Sequence, residues 1–346
     1  MKKTIEWIKT DNINGFSRMI DQTVIPYEFK TVDIKTSSDI YDAIKTMIVR
    51  GAPAIGIAGA HGVNLAAIES KNLFLDDFRK EVARIAQYIN SSRPTAVNLI
   101  WAINKQLEIV RDPKYKSTEE IIEQLVENSI KLENEDIEIN KKIGDFGATI
   151  VPKGATILTH CNAGALATVG YGTALGVVRS AFKNDPTIKV FADETRPRGQ
   201  GARLTTYELT SDGIDTTLIT DGMGAYFMKK GMIDVVITGA DRIALNGDSA
   251  NKIGTYMVAI AAKYHNIPFY IAAPKSTIDP TIKSGEEIVI ELRNREEVTT
   301  VNDKLICTDK VNIINPGFDV TPSSLIKGII TEYGIFKPED IHKLFD

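Results

Sequence analysis

From Ala155 onward, short apolar runs recur with helical stretches between most of them, and no other feature narrows the fold as much. The runs are Ala155–Thr159, Ile188–Ala192, Thr216–Thr220, Val235–Thr238 and Pro268–Ala272, with Val311–Ile314 as a further strand candidate. A strand buried on both faces presents a run of this kind, and strands alternating with helices build a parallel sheet covered on both sides. The spacing predicts an α/β, Rossmann-like parallel-sheet domain over residues 150–346.

The earlier part has a different rhythm. Residues 1 to about 35 alternate, as in Thr4-Ile5-Glu6-Trp7-Ile8, and read as short antiparallel strands around the Asp11-Asn12-Ile13-Asn14-Gly15 turn. Helical segments follow over Asp39–Ile48, Ala54–Glu69 and Phe74–Ser91, and another opens after Arg93. Ser117 and Glu120 stand at capping-box spacing ahead of a long polar helix running to about Gly147, whose charges between Glu133 and Lys142 read as a solvated face. The expected organisation is a mainly helical domain with a small β element over 1–116, a connecting helix over 117–149, and the catalytic parallel-sheet domain over 150–346.

Composition removes several function classes. Hydrophobic residues make up 43% and charged residues 25%, as in a soluble globular protein with a sizeable core. A net charge of -4 without a dense Lys/Arg block disfavours a nucleic-acid partner. No apolar stretch reaches membrane-spanning length, and the first residues lack the apolar segment of a signal peptide, so no membrane partner is expected. The two cysteines, Cys161 and Cys307, are then expected as reduced thiols in a cytoplasmic protein. His61, His160, His265 and His342 share no ligand spacing with them, and no protein-built metal site is expected.

The chemistry-bearing residues gather after the apolar runs. Cys161, in Thr159-His160-Cys161-Asn162-Ala163-Gly164, directly follows a strand candidate, and open α/β sheets build their ligand sites at that carboxyl edge. Apolar residues at helical spacing over Ala167–Phe182 predict a helix start that would favour a thiolate; the ordinary alternative is a small buried packing residue. Asp241 follows Val235–Thr238 and emerges on the same edge, with a helix cap or an ion pair to Arg242 as its ordinary alternative. Asn251 and Lys252 lie in a small-residue stretch ahead of a helix at Gly254–Tyr264, which reads as an anion-binding start, although it is not a Walker loop. Gln200 lies in Asp193–Arg203, read as a flexible site-lining loop, and Glu286–Val301 reads as a mobile loop or hairpin.

In Arg50-Gly51-Ala52-Pro53, the proline at a helix first turn leaves the Gly51 and Ala52 amides unused by the helix, and Arg93-Pro94-Thr95 repeats the device. Arg50, Arg93 and Lys252 thus each stand beside available amides. A phosphate clamp with a thiol and a carboxylate fits a small phosphorylated substrate undergoing proton transfer, a chemistry that requires neither a metal nor a cofactor. A nucleotide-binding oxidoreductase is disfavoured because Gly-x-Gly-x-x-Gly is missing after the first strand of the C-terminal domain.

These segments, in this order and over nearly the whole chain, resemble the methylthioribose-1-phosphate isomerase family. That family is related to 5-deoxyribose-1-phosphate and ribose-1,5-bisphosphate isomerases and to the regulatory subunits of initiation factor 2B. The resemblance rests on Arg50-Gly51-Ala52-Pro53-Ala54-Ile55-Gly56, Arg93-Pro94-Thr95, the Cys161 loop, Glu194-Thr195-Arg196-Pro197 with Gln200-Gly201-Ala202-Arg203, Gly239-Ala240-Asp241-Arg242 and Ala250-Asn251-Lys252-Ile253-Gly254. It implies that Arg50, Gly51, Ala52, Arg93, Gln200, Asn251 and Lys252 bind a sugar phosphate, that Cys161 and Asp241 carry an aldose–ketose isomerisation, and that the protein is a homodimer. The alternatives are the 5-deoxyribose and ribose-bisphosphate reactions and, in another class, a non-catalytic regulatory subunit. The chain departs from the family at Thr205-Thr206-Tyr207-Glu208, where Thr-Ala-Trp-Glu is frequent, and at Glu291-Leu292-Arg293, where Glu-Glu-Arg is usual. Neither departure is expected to touch the motif residues; both bear on the substituent at C5 of the sugar. A second phosphate there would call for a further cation, which favours the neutral substituents, methylthio or hydrogen.

Overall fold

A computed structural model describes residues 2–93, 96–301 and 304–346. The chain divides into two compact units, Met1–Lys141 with Gly164–Gly172, and Lys142–Ala163 with Thr173–Asp346.

In the first unit, β1 (Ile5–Lys9), β2 (Gly15–Ile20) and β3 (Thr31–Ile34) form an antiparallel sheet in that order. The Asp11 carboxylate closes the first turn by accepting the amides of Ile13 and Asn14 at 2.9 and 2.8 Å. Helices α1 (Ser37–Lys45), α2 (Ala52–Ser70), α3 (Leu75–Asn90) and α4 (Val97–Arg111) follow. Pro94 and Thr95, the expected proline-started turn, lie outside the described residues. Small and aliphatic residues cover α2 on every side, so it is buried almost throughout and packs against α3 and α4.

Helix α5 (Thr118–Ala148) is 31 residues long. Ser117 Oγ accepts the Glu120 amide at 3.2 Å, and the Glu120 carboxylate reaches back to the Lys116 amide at 2.7 Å. The expectation of a solvated face between Glu133 and Lys142 holds for Glu135, Glu138, Lys141 and Lys142, which are exposed, but not for Glu133 and Asp136, which are buried together with Asn140. Charge alone cannot reveal that a helix passes beneath a sheet whose amides need acceptors.

In the second unit, β4 (Thr156–Thr159), α6 (Ala174–Asn184), β5 (Lys189–Asp193), α7 (Thr206–Ser211), β6 (Asp215–Ile219), α8 (Gly224–Lys229) and β7 (Val235–Thr238) alternate. A short excursion, β8 (Arg242–Ile243) and β9 (Ser249–Lys252), precedes α9 (Thr255–Tyr264) and β10 (Phe269–Ala272). The chain ends through α10 (Glu296–Thr299), β11 (Thr300–Val301), β12 (Lys304–Leu305), β13 (Phe318–Thr321), β14 (Gly328–Thr331) and β15 (Gly334–Phe336). The main sheet has the order β15-β14-β10-β7-β4-β5-β6, parallel except for β15, and β13-β9-β8 form a separate antiparallel sheet. The expected fold class holds: a helical first region with a small β element, then an α/β parallel-sheet region. No helix among the described residues is long and apolar enough to cross a membrane.

Three local expectations need correction. Val311–Ile314 forms no strand and is largely exposed; the strand beside β10 is β14, whose four residues are all buried. The helix expected from Ala167 starts at Ala174, after a single 3-10 turn at Ala165–Ala167. Over Glu286–Val301 the chain forms a 3-10 turn, the single turn α10 and one arm of the β11–β12 hairpin, with Arg293 paired to Glu297 at 2.6 Å.

Candidate active site

Strand β4 delivers Cys161 to its carboxyl edge in an unusual conformation. Cys161 is buried and has φ 64°, a left-handed backbone that a residue with a Cβ adopts only when its surroundings hold it there. Its amide donates to Thr195 Oγ1 at 2.8 Å, and its carbonyl accepts from Thr205 Oγ1 at 2.6 Å. Thr195 is itself left-handed, φ 63°, and is pinned because the amides of Thr195 and Arg196 both donate to the Asp221 carboxylate at 2.8 Å. Thr205 ends a π-helical turn, Gly201–Thr205, that leads into α7. The next residue, Asn162, donates to the buried Glu208 at 2.9 Å, and Glu208 is paired with Arg179 at 2.9 Å.

Two expectations change here. The Thr205–Glu208 segment does touch the Cys161 turn, through Thr205 and Glu208. The Asp193–Arg203 stretch is tied down by Asp221, by Arg196 donating to the Val298 carbonyl at 3.0 Å, and by Arg198 paired with Glu297 at 3.1 Å. Burial opposes ionisation of Glu297, but the hydrogen bonds and charges of Arg293 and Arg198 outweigh it and hold the carboxyl at about 2.

Asp241 lies in the link between β7 and β8, half-buried, with its amide donating to the Ala250 carbonyl at 2.9 Å. Arg242 pairs with Asp279 (Nε–Oδ2 2.9 Å) and so has a partner other than its neighbour. β4 and β7 are adjacent, with Leu158 opposite Val236, so Cys161 and Asp241 leave neighbouring strands at the same edge. The two exits lie close together: a Cβ on Gly239 would stand 2.7 Å from the Ala163 Cβ. Burial works against the charge of Arg293, and Glu297, Glu291 and Asp241 together outweigh it, which puts this guanidinium within electrostatic reach of Asp241.

Asn251 and Lys252 end β9, both buried. Asn251 Nδ2 donates to Thr255 Oγ1 at 3.0 Å; Lys252 Nζ donates to the Gly317 carbonyl at 2.9 Å and lies 4.0 Å from the centre of the Phe318 ring. Gln200 is 6% exposed, and its Oε1 is buried with no hydrogen-bond partner among the described residues. The expected anion-binding start of α9 is already occupied, because the Asp319 carboxylate accepts the amides of Gly254 and Tyr256 at 2.7 and 3.2 Å. These five sequence-predicted residues, Cys161, Gln200, Asp241, Asn251 and Lys252, belong to the second unit.

Arg50, Gly51, Ala52 and Arg93 belong to the first. Gly51 precedes α2 with φ 94°, and no side chain caps the helix there. A Cβ at Gly51 would stand 2.4 Å from the Ala167 Cα, so both the conformation and the contact require glycine. Arg93 follows α3, and its carbonyl accepts the Ala96 amide at 3.0 Å.

Sequence reasoning treated His160 only as one of several scattered histidines. It is wholly buried, with Nδ1 2.9 Å from Asp193 Oδ2 and Nε2 2.9 Å from the Ile253 carbonyl. A carbonyl can only accept, so Nε2 carries a proton; a second proton bridges Nδ1 and Asp193. Burial disfavours the imidazolium, but Asp193, with Asp221 farther out, outweighs this and raises the ring above its ordinary pKa. Ligand atoms of His160, Asp193 and Asp221 lie within 4.8 Å of one another, close enough for metal ligation. Both ring nitrogens and both Asp221 oxygens are already hydrogen-bonded, whereas Asp193 Oδ1 is buried with no hydrogen-bond partner among the described residues. Its only local signal was a histidine at the end of a buried strand; the partners lie 33 and 93 residues away.

Comparison with known proteins supplies the context. Residues 48–338 match the model of the initiation factor 2 subunit family. Methylthioribose-1-phosphate isomerase of Thermotoga petrophila is 52% identical over 345 residues, covering 99% of this chain and 98% of the relative. Among solved structures, 5-methylthioribose 1-phosphate isomerase from Pyrococcus horikoshii OT3 is 42% identical with a TM-score of 0.89, covering 100% of this chain and 96% of its own. A structure described as translation initiation factor eIF-2B, subunit delta, from A. fulgidus is 44% identical with a TM-score of 0.83, covering 98% and 97%.

Proposed function

This chain belongs to the methylthioribose-1-phosphate isomerases within the initiation factor 2 subunit family, and we propose that it converts 5-methylthioribose 1-phosphate to 5-methylthioribulose 1-phosphate in methionine salvage. The observation that carries the site assignment is the exit of Cys161 and Asp241 from adjacent parallel strands, with the Cys161 backbone fixed at both its amide and its carbonyl. In this reading Arg50, Gly51, Ala52, Arg93, Gln200, Asn251 and Lys252 bind the sugar phosphate. The unpartnered Gln200 Oε1 suits a substrate hydroxyl, and Lys252 Nζ is already oriented by Gly317 and Phe318.

The anomeric carbon bears the phosphate, so the ring cannot open as a hemiacetal does. Asp241, entering as the acid, gives its proton to the ring oxygen as the C1–O bond breaks. Cys161, as thiolate, takes the C2 proton, giving an enediol-like intermediate, and returns that proton to C1. Asp241, now a carboxylate, accepts the proton of the C2 hydroxyl as the carbonyl forms, so both groups end as they began. Cys161→Ser and Asp241→Asn are each expected to lower kcat by at least about 10³-fold with the fold retained; near-normal turnover in either variant would remove that residue from the chemistry. A C2 deuteron carried to C1 with no exchange at any substrate concentration would favour a hydride shift over this proton transfer.

The substrate is assigned by kcat/KM on methylthioribose 1-phosphate, 5-deoxyribose 1-phosphate and ribose 1,5-bisphosphate, with the first expected to lead. A regulatory subunit would turn over none of them. The proposed setting is the cytoplasm and the proposed assembly a homodimer, for which the exposed Tyr226, Tyr256, Met257, Ile260 and Tyr264 on the packed helices α8 and α9 offer an apolar face. A monomer by sedimentation would reject the dimer.

A further inference from the structure

The thiol and the phosphate-binding cation assigned above are carried by two sheets with no ladder between them. Cys161 follows β4 of the seven-stranded sheet, whereas Asn251 and Lys252 end β9 of the three-stranded one. Backbone joins them only indirectly, through β7, which pairs with β4 and runs on past Asp241, whose amide donates to the Ala250 carbonyl of β9, into β8. His160 adds a direct link between the two segments themselves. It is the residue before Cys161, and its Nε2 donates to the carbonyl of Ile253, the residue after Lys252. The other end of the same peptide, the Gly254 amide, donates to Asp319 Oδ2 at 2.7 Å, so the Ile253–Gly254 unit is gripped on both sides.

The ring also shapes the chain beside it. Gly254 has φ 104°, and a Cβ there would stand 2.8 Å from His160 Cε1, so the segment after Lys252 packs directly against the imidazole. Nδ1 is anchored to Asp193 at the end of β5. The charged groups acting on the ring are Asp193 from β5, Asp221 from the turn after β6, and Asp319 from β13. Burial works against the charge of the ring, and the acidic groups around it outweigh this and raise its pKa above the ordinary value; the Nε2 donor is the one that the Ile253 carbonyl requires.

We propose that His160 is a positioning residue for the isomerase, a cross-sheet strut that holds the Cys161 turn and the Asn251–Lys252 segment in one fixed geometry. The proposal deepens the reading of Cys161 and Lys252 given above and rests on it. A displacement of about 1 Å between a reacting group and its substrate anchor can lower the rate about a hundredfold.

The test compares the full-length wild type with His160→Ala, His160→Gly and Asp319→Asn, each checked for folding by circular dichroism. His160→Ala is expected to lose about a hundredfold in kcat/KM, with KM raised as well as kcat lowered. It should also bind inorganic phosphate more weakly, read as a smaller phosphate-induced rise in Tm. His160→Gly should regain activity when imidazole is added, which fills the vacated volume and restores the donor, whereas Cys161→Ser should not. Asp319→Asn, which loosens the far end of the same peptide, should raise KM about tenfold with a smaller change in kcat. A folded His160→Ala variant with kcat/KM within about threefold of wild type, or one that loses only Tm, overturns the proposal. So does a His160→Gly variant that imidazole leaves unchanged. If His160→Ala does not fold, the Asp319→Asn result decides by itself. A wild type inactive on every sugar phosphate instead overturns the isomerase reading, while the phosphate-binding comparison still reports on the strut.

Discussion

Each unit contains one buried histidine bonded to one buried carboxylate, and the two pairs differ in what occupies the second ring nitrogen. In the first unit, His61 Nε2 meets Glu133 at 3.1 Å and Nδ1 meets Ser17 Oγ at 2.8 Å. A hydroxyl can donate or accept, so the Ser17 side imposes no direction on the Nδ1 bond, and Nε2 can donate to the Glu133 carboxylate. In the second unit, His160 faces a carboxylate and a carbonyl, and the carbonyl accepts only. The first pair therefore has one adaptable partner, and its links run to β1 and β2, through the Trp7 amide on Glu133 and through Ser17. The second pair demands one arrangement, and its links run to the segments that carry Cys161 and Lys252. The difference separates a pair that staples a sheet to a helix from one that registers functional groups.

That comparison breaks most visibly at Glu133. Glu133→Ala strands His61 and the Trp7 amide and leaves Lys3 without its 2.9 Å partner; the expected loss is about 3–5 kcal/mol in urea unfolding, with kcat/KM per folded molecule unchanged. Burial opposes ionisation of Glu133, but His61 and Lys3 outweigh it and hold its pKa below the ordinary 4.5. Its contribution is thus present above about pH 4.5 and lost as pH falls through the lowered value, so the gap between wild type and Glu133→Gln should narrow in acid. A matching loss of activity in folded Glu133→Ala would show that the first pair is not confined to stability.

The next largest effect concerns Asp136, three residues along α5, which accepts the Val169 amide at 2.8 Å and which burial raises from 3.8 to about 7. The folded protein holds this proton where the unfolded chain has released it, so stability should fall as pH rises from about 4 to about 7 and level off above. Asp136→Asn keeps an acceptor for Val169 and should flatten that slope, gaining on the order of 2 kcal/mol over wild type at pH 8 relative to pH 5. Parallel wild-type and mutant slopes across that range would place the proton elsewhere. Smallest is Ser17→Ala, expected to lose about 1 kcal/mol because His61 Nδ1 loses its partner, with no change in pH profile or turnover. A larger loss accompanied by altered KM would erase the distinction between the two pairs.

Much of this was legible in sequence where local pattern and burial agree. Val235–Thr238 was read to its exact bounds because a strand covered on both faces shows no polar alternation. Ser117 and Glu120 announced the start of α5 because a capping interaction is local. Legibility failed where partners are distant. Val311–Ile314 resembles β14 in composition but lies exposed, and only packing separates the two. Glu133 and Asp136 looked like surface charge because their acceptors serve amides 126 and 33 residues away. The thiolate-favouring helix expected beside Cys161 starts only at Ala174, and the ionisable group next to that cysteine is His160.

The sequence by itself therefore determined the α/β class, the helical first region, the family, and the residue types offered for a phosphate and an acid–base pair. These follow from period, capping and motif order, which act over a few residues. The tertiary structure alone decided that Cys161 is held left-handed between Thr195 and Thr205, that Asp319 fills the start of α9, and that His160 ties two sheets together. Each of these is a hydrogen bond closed across a long loop in a buried place, where an unmatched donor or acceptor is costly and the whole fold chooses the partner.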